Sequence, residues 1–154
     1  MLPKHILVPT DLSEGAAQAL AYACELARTL DAEIHLLNVV AIPALGVPEL
    51  GVALTSTLID QLVVENQKVL EELARTQCTA RLGHVLIKAG EPRDTINRTA
   101  QELGVDLIVM GTHGRRGITR ALLGSVAETV VRSAPCAVLT VRMQEATDND
   151  RHAA

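Results

Sequence analysis

The sequence predicts an α/β fold, a single-domain open parallel sheet of five strands with helices on both faces, and three observations carry the prediction. Short apolar runs alternate strictly with segments of helical periodicity along the chain. The runs are apolar throughout rather than at every second residue, as expected of strands covered on both faces. A length of 154 residues with 48% apolar content suits one full core and leaves little for a second domain.

The elements follow in order. Ile6-Leu7-Val8-Pro9 is the first strand, with Asp11 at its end. A helix from about Ser13 to Leu30 comes next, because Ala17, Leu20, Ala21, Cys24, Ala27 and Leu30 recur at steps of three or four. Asp11 or Ser13 is placed to cap it. Ile34 to Val40 is the second strand, interrupted by His35 and Asn38. Ala41 to Thr55 holds Pro43, Gly46, Pro48 and Gly51 among apolar residues and reads as a long loop, a lid or a contact surface. From about Thr57 to Thr76 a second helix places Leu58, Ile59, Leu62, Val69, Leu70 and Leu73 on one face. Val85-Leu86-Ile87 is a third strand ending at Ala89-Gly90, and Glu91-Pro92 leads into a helix at about Asp94 to Leu103. Leu107 to Met110 is the fourth strand, Ser125 to Ser133 the fourth helix and Ala137 to Val141 the fifth strand. Residues 1–142 form the domain, and 143–154 are a polar, frayed C-terminal tail.

Composition removes several function classes. Aromatic content is 1%, Tyr22 alone, so there is no stacking platform for single-stranded nucleic acid. A net charge of −4 opposes a general footprint on a phosphate backbone. No run approaches the ~20 apolar residues of a membrane span. Pro3, Pro9 and Asp11 break the start of the chain, which makes a poor signal peptide. Cys24, Cys78 and Cys136 stand apart with no C-x-x-C, as reduced thiols that pack like small hydrophobes do. A cytoplasmic protein with no nucleic-acid or membrane partner is expected.

One segment is suited to hold a phosphate. Gly111-Thr112-His113-Gly114 follows the fourth strand, and after nine more residues Gly124-Ser125 opens the fourth helix. Glycine permits close backbone approach, and a helix N-terminus offers unpaired N–H groups and partial positive charge to an anion. Arg115, Arg116 and Arg120 lie in this loop with no acidic residue, so it is locally cationic in an acidic chain. If the fourth strand lies beside the first, the strand order reverses there and Asp11 comes next to Gly111, a carboxylate for ribose hydroxyls facing a loop for phosphate. On spacing alone a second reading stands equally: Asp11 caps the first helix and the glycines only turn the chain. Three familiar phosphate-handling patterns are absent. No glycine is followed by lysine as a Walker loop requires, the first strand leads into Pro9-Thr10-Asp11-Leu12 rather than a glycine fingerprint, and Lys88-Ala89-Gly90 stands where a receiver domain carries its aspartate.

These residues resemble the ATP-binding subgroup of the universal stress proteins. Gly111, Gly114, Gly124 and Ser125 match that family's Gly-x2-Gly-x9-Gly-Ser/Thr without gaps. Ile6 to Ser13 looks like its first strand with the ligand-facing Asp, Leu37-Asn38-Val39-Val40 like its second strand, and Gly90-Glu91-Pro92 like its third-strand exit, so the likeness covers about residues 4–142. The resemblance implies a Rossmann-like fold binding ATP or AMP. Asp11 would meet the ribose, Val39 the adenine, and Gly111, Gly114, Gly124 and Ser125 the phosphates, with Pro9, Thr10, Met110, His113, Arg115 and Val126 completing the nucleotide-binding set. The sequence offers no carboxylate cluster to hold a divalent ion alone, so Mg²⁺, if bound, would enter through the phosphates; the resemblance also implies a homodimer, and the fifth strand is otherwise an exposed apolar edge for it. The function so implied is an adenine-nucleotide-binding stress-response or signalling module and not an enzyme. The loop from Ala41 leaves the second strand at the ligand edge, so it is expected to order when nucleotide binds, the alternative being that its apolar residues pack permanently against the second helix or a dimer partner. A slow ATPase or phosphoryl-transfer enzyme is the alternative, although no catalytic base is placed and His113 reads as a solvated or anion-contacting residue.

Overall fold

All five strands run in one direction. The computed structural model describes residues 2–41, 50–112 and 124–142. Its elements alternate as β1 (His5–Thr10), α1 (Glu14–Leu30), β2 (Glu33–Ala41), α2 (Leu50–Gln77), β3 (Arg81–Gly90), α3 (Pro92–Leu103), β4 (Leu107–Gly111), α4 (Ser125–Ser133) and β5 (Ala137–Val141). The strands pair in parallel in the order β3-β2-β1-β4-β5. The chain therefore winds outward from β1 to one side and then from β4 to the other.

Alternate residues of each strand serve opposite cores, which is why the strands read as unbroken apolar runs. Ile6, Val8, Ile34, Leu36, Leu107 and Val109 join α1 and α2 residues such as Leu20, Cys24 and Leu70 in one cluster. Leu7, Leu37, Ile108 and Met110 join Ile96, Ala100, Ala127 and Val130 of α3 and α4 in the other. Fully burying a leucine or isoleucine contributes about 1.5–3 kcal/mol, so Ile6, Leu7, Leu20, Ile34, Leu36, Leu37, Leu70 and Ile108, each fully enclosed, dominate cohesion.

Three expectations need correction. The stretch Ala41 to Thr55 is not wholly irregular, because α2 includes residues 50–55; residues 42–49 lie outside the described ones. From Val52 to Gln77 there is no glycine or proline. Gly51 alone costs about 1 kcal/mol, too little to break a helix of 28 residues. Second, β3 extends from Arg81 to Gly90 rather than over its apolar centre alone, and it is half-exposed along most of its length. It is an edge strand, so polar residues such as Arg81, His84 and Lys88 remain wet while their backbone still pairs with β2. Third, the cysteines are not all isolated: Cys24 Sγ lies 3.0 Å from Cys78 Sγ. The tail, 143–154, falls outside the described residues.

The pairing of β1 positions the site. It stays in register with β2 from His5–Glu33 to Thr10–Asn38. With β4 it pairs only at Ile6–Leu107 and Leu7–Ile108. Beyond those pairs the β1–β4 ladder ends, and because the strand order reverses here, the ligand crevice expected outside the C-terminal strand ends of such a sheet falls between β1 and β4.

Candidate functional site

The turn from β1 into α1 is held by its own side chains. Thr10 Oγ1 accepts from the Leu12 amide at 3.1 Å, and Asp11 Oδ1 accepts from the Ser13 amide at 3.0 Å. Ser13 is the N-cap of α1, its hydroxyl accepting from the Ala16 amide at 3.3 Å. The capping role therefore belongs to Ser13. Asp11 instead closes a turn ahead of the helix and lies at the strand end that borders the crevice. Leu12 has φ of 64°, the left-handed region, which costs a leucine about 1–2 kcal/mol. Such a residue persists where surrounding contacts over-determine the backbone, and these turns cluster at ligand sites.

Asn38 braces the same edge from β2. It is 2% exposed; its Nδ2 donates to the Thr10 carbonyl at 2.8 Å, and its Oδ1 accepts from Asn66 Nδ2 of α2 at 3.0 Å. Sequence reasoning passed over it, although a polar residue inside an apolar strand was the available signal. Val39, the next residue, is half-buried and packs toward the core on the α3 and α4 face.

Across the crevice, Met110 and Thr112 are buried and Gly111 is partly exposed. The Thr112 amide donates to the Val141 carbonyl of β5 at 3.0 Å, and the Thr112 carbonyl accepts from the Gly124 amide at 2.7 Å. That second bond ties the start and the end of the glycine motif together. Thr112 is the other residue the sequence did not single out, because its part is played by main-chain groups. Gly124 is the N-cap of α4, with extended backbone (φ −60°, ψ 148°) and no side-chain bond capping the helix. The first intrahelical bond runs from the Glu128 amide to the Gly124 carbonyl at 2.9 Å, so the Ser125, Val126 and Ala127 amides have no acceptor within the helix. Ser125 is exposed, whereas the Val126 side chain packs against the core and leaves only its main chain for the site.

Pro9, Thr10, Asp11, Val39, Met110, Gly111, Gly124, Ser125 and Val126 thus come to one edge of the sheet. His113, Gly114 and Arg115, like Arg116 and Arg120, lie outside the described residues. The edge combines one carboxylate, a close-approach glycine and uncapped helix amides, a set that suits a ligand with hydroxyls at one end and anionic oxygens at the other. Shallow depressions on the exposed faces of α2, at Asp60, Val64 and Lys68, and of α1, at Glu25 and Arg28, include none of these residues.

At the opposite end of the strands His5, Glu33 and His35 bring ligand-type atoms within 4.8 Å of one another. His35 Nδ1 accepts from the His84 amide at 3.0 Å. That lone pair is occupied, and the neutral ring then carries its proton on Nε2. The cluster is not arranged to receive a cation.

Comparison with known proteins agrees with this fold. Residues 3–142 match the model of the universal stress protein family. A universal stress protein of Methanocaldococcus jannaschii is 37% identical over 143 residues, covering 92% of this chain and 83% of the relative. The solved structure of universal stress protein UspA from Lactobacillus plantarum superposes with a TM-score of 0.78 at 30% identity, covering 90% of this chain and 97% of that one. A universal stress protein solved in complex with cAMP shares the fold at TM-score 0.62 and 22% identity, over 92% of this chain and 98% of that one. The chain belongs to the universal stress protein family.

Proposed function

We propose that the protein is a cytoplasmic module that binds ATP or AMP in the crevice between β1 and β4 and passes its ligand state to a partner. The observation that carries this reading is the end of the β1–β4 ladder at Leu7 and Ile108, where the strand order reverses, with the uncapped start of α4 tied to β4 by the Thr112–Gly124 bond. In this reading Asp11 accepts from ribose hydroxyls, the Val39 main chain meets adenine, and the amides around Gly111, Gly124, Ser125 and Val126 receive phosphate oxygens, joined by Gly114, His113 and Arg115. A relative solved with cAMP supports an adenine nucleotide as the ligand class of this fold. With Asp11 the carboxylate at the edge, a divalent ion would take most of its ligands from phosphate and water. We further assign the dimer contact to β5, an edge strand.

Isothermal titration of the full chain with ATP and with AMP tests the binding reading. One nucleotide per chain is expected, weakened about tenfold, or about 1.4 kcal/mol, by Asp11→Ala. Absence of binding to either nucleotide would overturn it. A second reading, a slow ATPase, separates by rate: turnover is expected far below the roughly 10 per second of ordinary enzymes. A steady-state rate above about 1 per second that collapses in His113→Ala would replace the binder with an enzyme.

A further inference from the structure

Cys24 lies in the middle of α1 and is 2% exposed, enclosed by the core cluster beneath α1 and α2. Cys78 is the first residue after α2, half-buried, its amide still bonded to the Ala74 carbonyl at 3.2 Å. They are 54 positions apart in sequence, yet their sulfurs are 3.0 Å apart, with Cys24 donating its S–H to Cys78. Closing that gap to a bond of about 2.0 Å takes a shift of about 1 Å. Thr79 and Ala80 continue into β3, so Cys78 sits where the chain leaves the helix rather than within it.

We propose that Cys24 and Cys78 form a peroxide-oxidisable dithiol, in which the half-exposed Cys78 is the sulfur oxidised first and the buried Cys24 resolves it as an intramolecular disulfide. The Cys78 thiolate attacks one oxygen of hydrogen peroxide: an S–O bond forms, the O–O bond breaks, and the departing hydroxide takes a proton to become water. Cys78 is then a sulfenic acid. The Cys24 sulfur attacks it next, forming the S–S bond and breaking the S–O bond, while the Cys24 proton leaves with the hydroxide as a second water. Two thiols and one hydrogen peroxide thus give one disulfide and two waters, with the peroxide as the sole oxidant.

The contact also sets the order of events. Donation from Cys24 holds the Cys78 thiol down at about 7, whereas the same bond and burial push Cys24 up. The carbonyl end of α2 works against an anion at Cys78, so the lowering rests first on the Cys24 hydrogen, with a smaller contribution from the Ala80 backbone. Cys136, which has burial raising its pKa, provides an internal reference. The disulfide would join the two helices that cover one face of the sheet, and α1 begins at the turn carrying Asp11.

The test uses the reduced full-length protein treated with stoichiometric hydrogen peroxide near neutral pH, then alkylation and peptide mapping. A Cys24–Cys78 linked peptide within one chain, with Cys136 still alkylated, is expected. Cys24→Ser keeps a hydrogen donor but cannot resolve, so a dimedone adduct should accumulate at Cys78. Cys24→Ala removes the donor, and labelling of Cys78 should slow about tenfold as its thiolate fraction falls. Oxidation of Cys136 as fast as Cys78, absence of the linked peptide in the parent protein, or equal labelling of Cys78 in the Ser and Ala variants would overturn the proposal.

Discussion

Asn38 and Gly114 represent two ways a single residue serves this site. Asn38 joins the end of β1 to α2 through two hydrogen bonds in a buried setting. Removing its amide leaves the Thr10 carbonyl without that donor, and an unsatisfied buried group costs about 1–3 kcal/mol. Asn38→Ala should lower the urea midpoint by an amount equivalent to about 2 kcal/mol, whereas Asn66→Ala, at a half-exposed position, should cost less. Equal losses would show that Asn38 is not the brace. Gly114 was legible only as spacing, and its place lies outside the described residues. Under the nucleotide reading a methyl group there blocks phosphate approach, so Gly114→Ala should weaken ATP binding at least about tenfold while leaving the thermal midpoint near that of the parent. An unchanged titration curve would remove the phosphate role from this glycine.

At the scale of an element, the β2–β3 pair holds a titrating device at the end opposite the crevice. Ile34 pairs with Leu82 but Leu36 with Val85, so Gly83 and His84 stand opposite His35 in a bulge. A Cβ on Gly83 would collide with the Glu33 carboxylate and the His35 ring. His35 stacks between His5 and His84, with ring centroids 5.7 and 5.3 Å away. Arg81 pairs with Glu33 at 3.4 Å. Burial lowers the His35 pKa from its usual value, reinforced by His84 and His5 and opposed by Glu33. Because the folded pKa is the lower one, the unfolded chain takes up the proton first as pH falls below about 6.5. Stability should therefore drop on going from about pH 7.5 to about pH 5.5, and His35→Gln, which keeps an acceptor for the His84 amide, should flatten that drop. A pH dependence of the urea midpoint that is identical in parent and variant would assign the effect to other groups.

For the whole molecule, β3 and β5 are both sheet edges, but they differ in character. β3 presents Arg81, His84 and Lys88, polar residues of the kind that discourage pairing. β5 is Ala137-Val138-Leu139-Thr140-Val141 and carries no charge. Association along β5 is therefore expected, giving a dimer by light scattering. Val138 packs toward the α3 and α4 core and Leu139 toward the α1 and α2 core, each half-buried. Val138→Lys or Leu139→Lys, whichever side chain faces the partner, should give monomers, with native far-UV circular dichroism showing that the lysine has not unfolded the strand. If both folded variants stay dimeric, the contact lies elsewhere.

The sequence alone determined the alternation of strands and helices, the centres of all five strands, and the residues of the glycine motif. These are local properties: periodicity, turn chemistry and apolar runs are written into neighbouring residues. The limits of α2 and β3 were misread for a related reason, since one glycine does not stop a long helix and an edge strand need not be apolar. Tertiary structure decided what depends on distant chain segments meeting. The strand order placed β1 beside β4 and set where the sheet reverses, Asn38 became a brace only by reaching Thr10 and Asn66, and Cys24 met Cys78 only through the packing of α1 beside the end of α2. Spacing along one chain carries no direct record of such encounters, because they are set by which faces must be buried together.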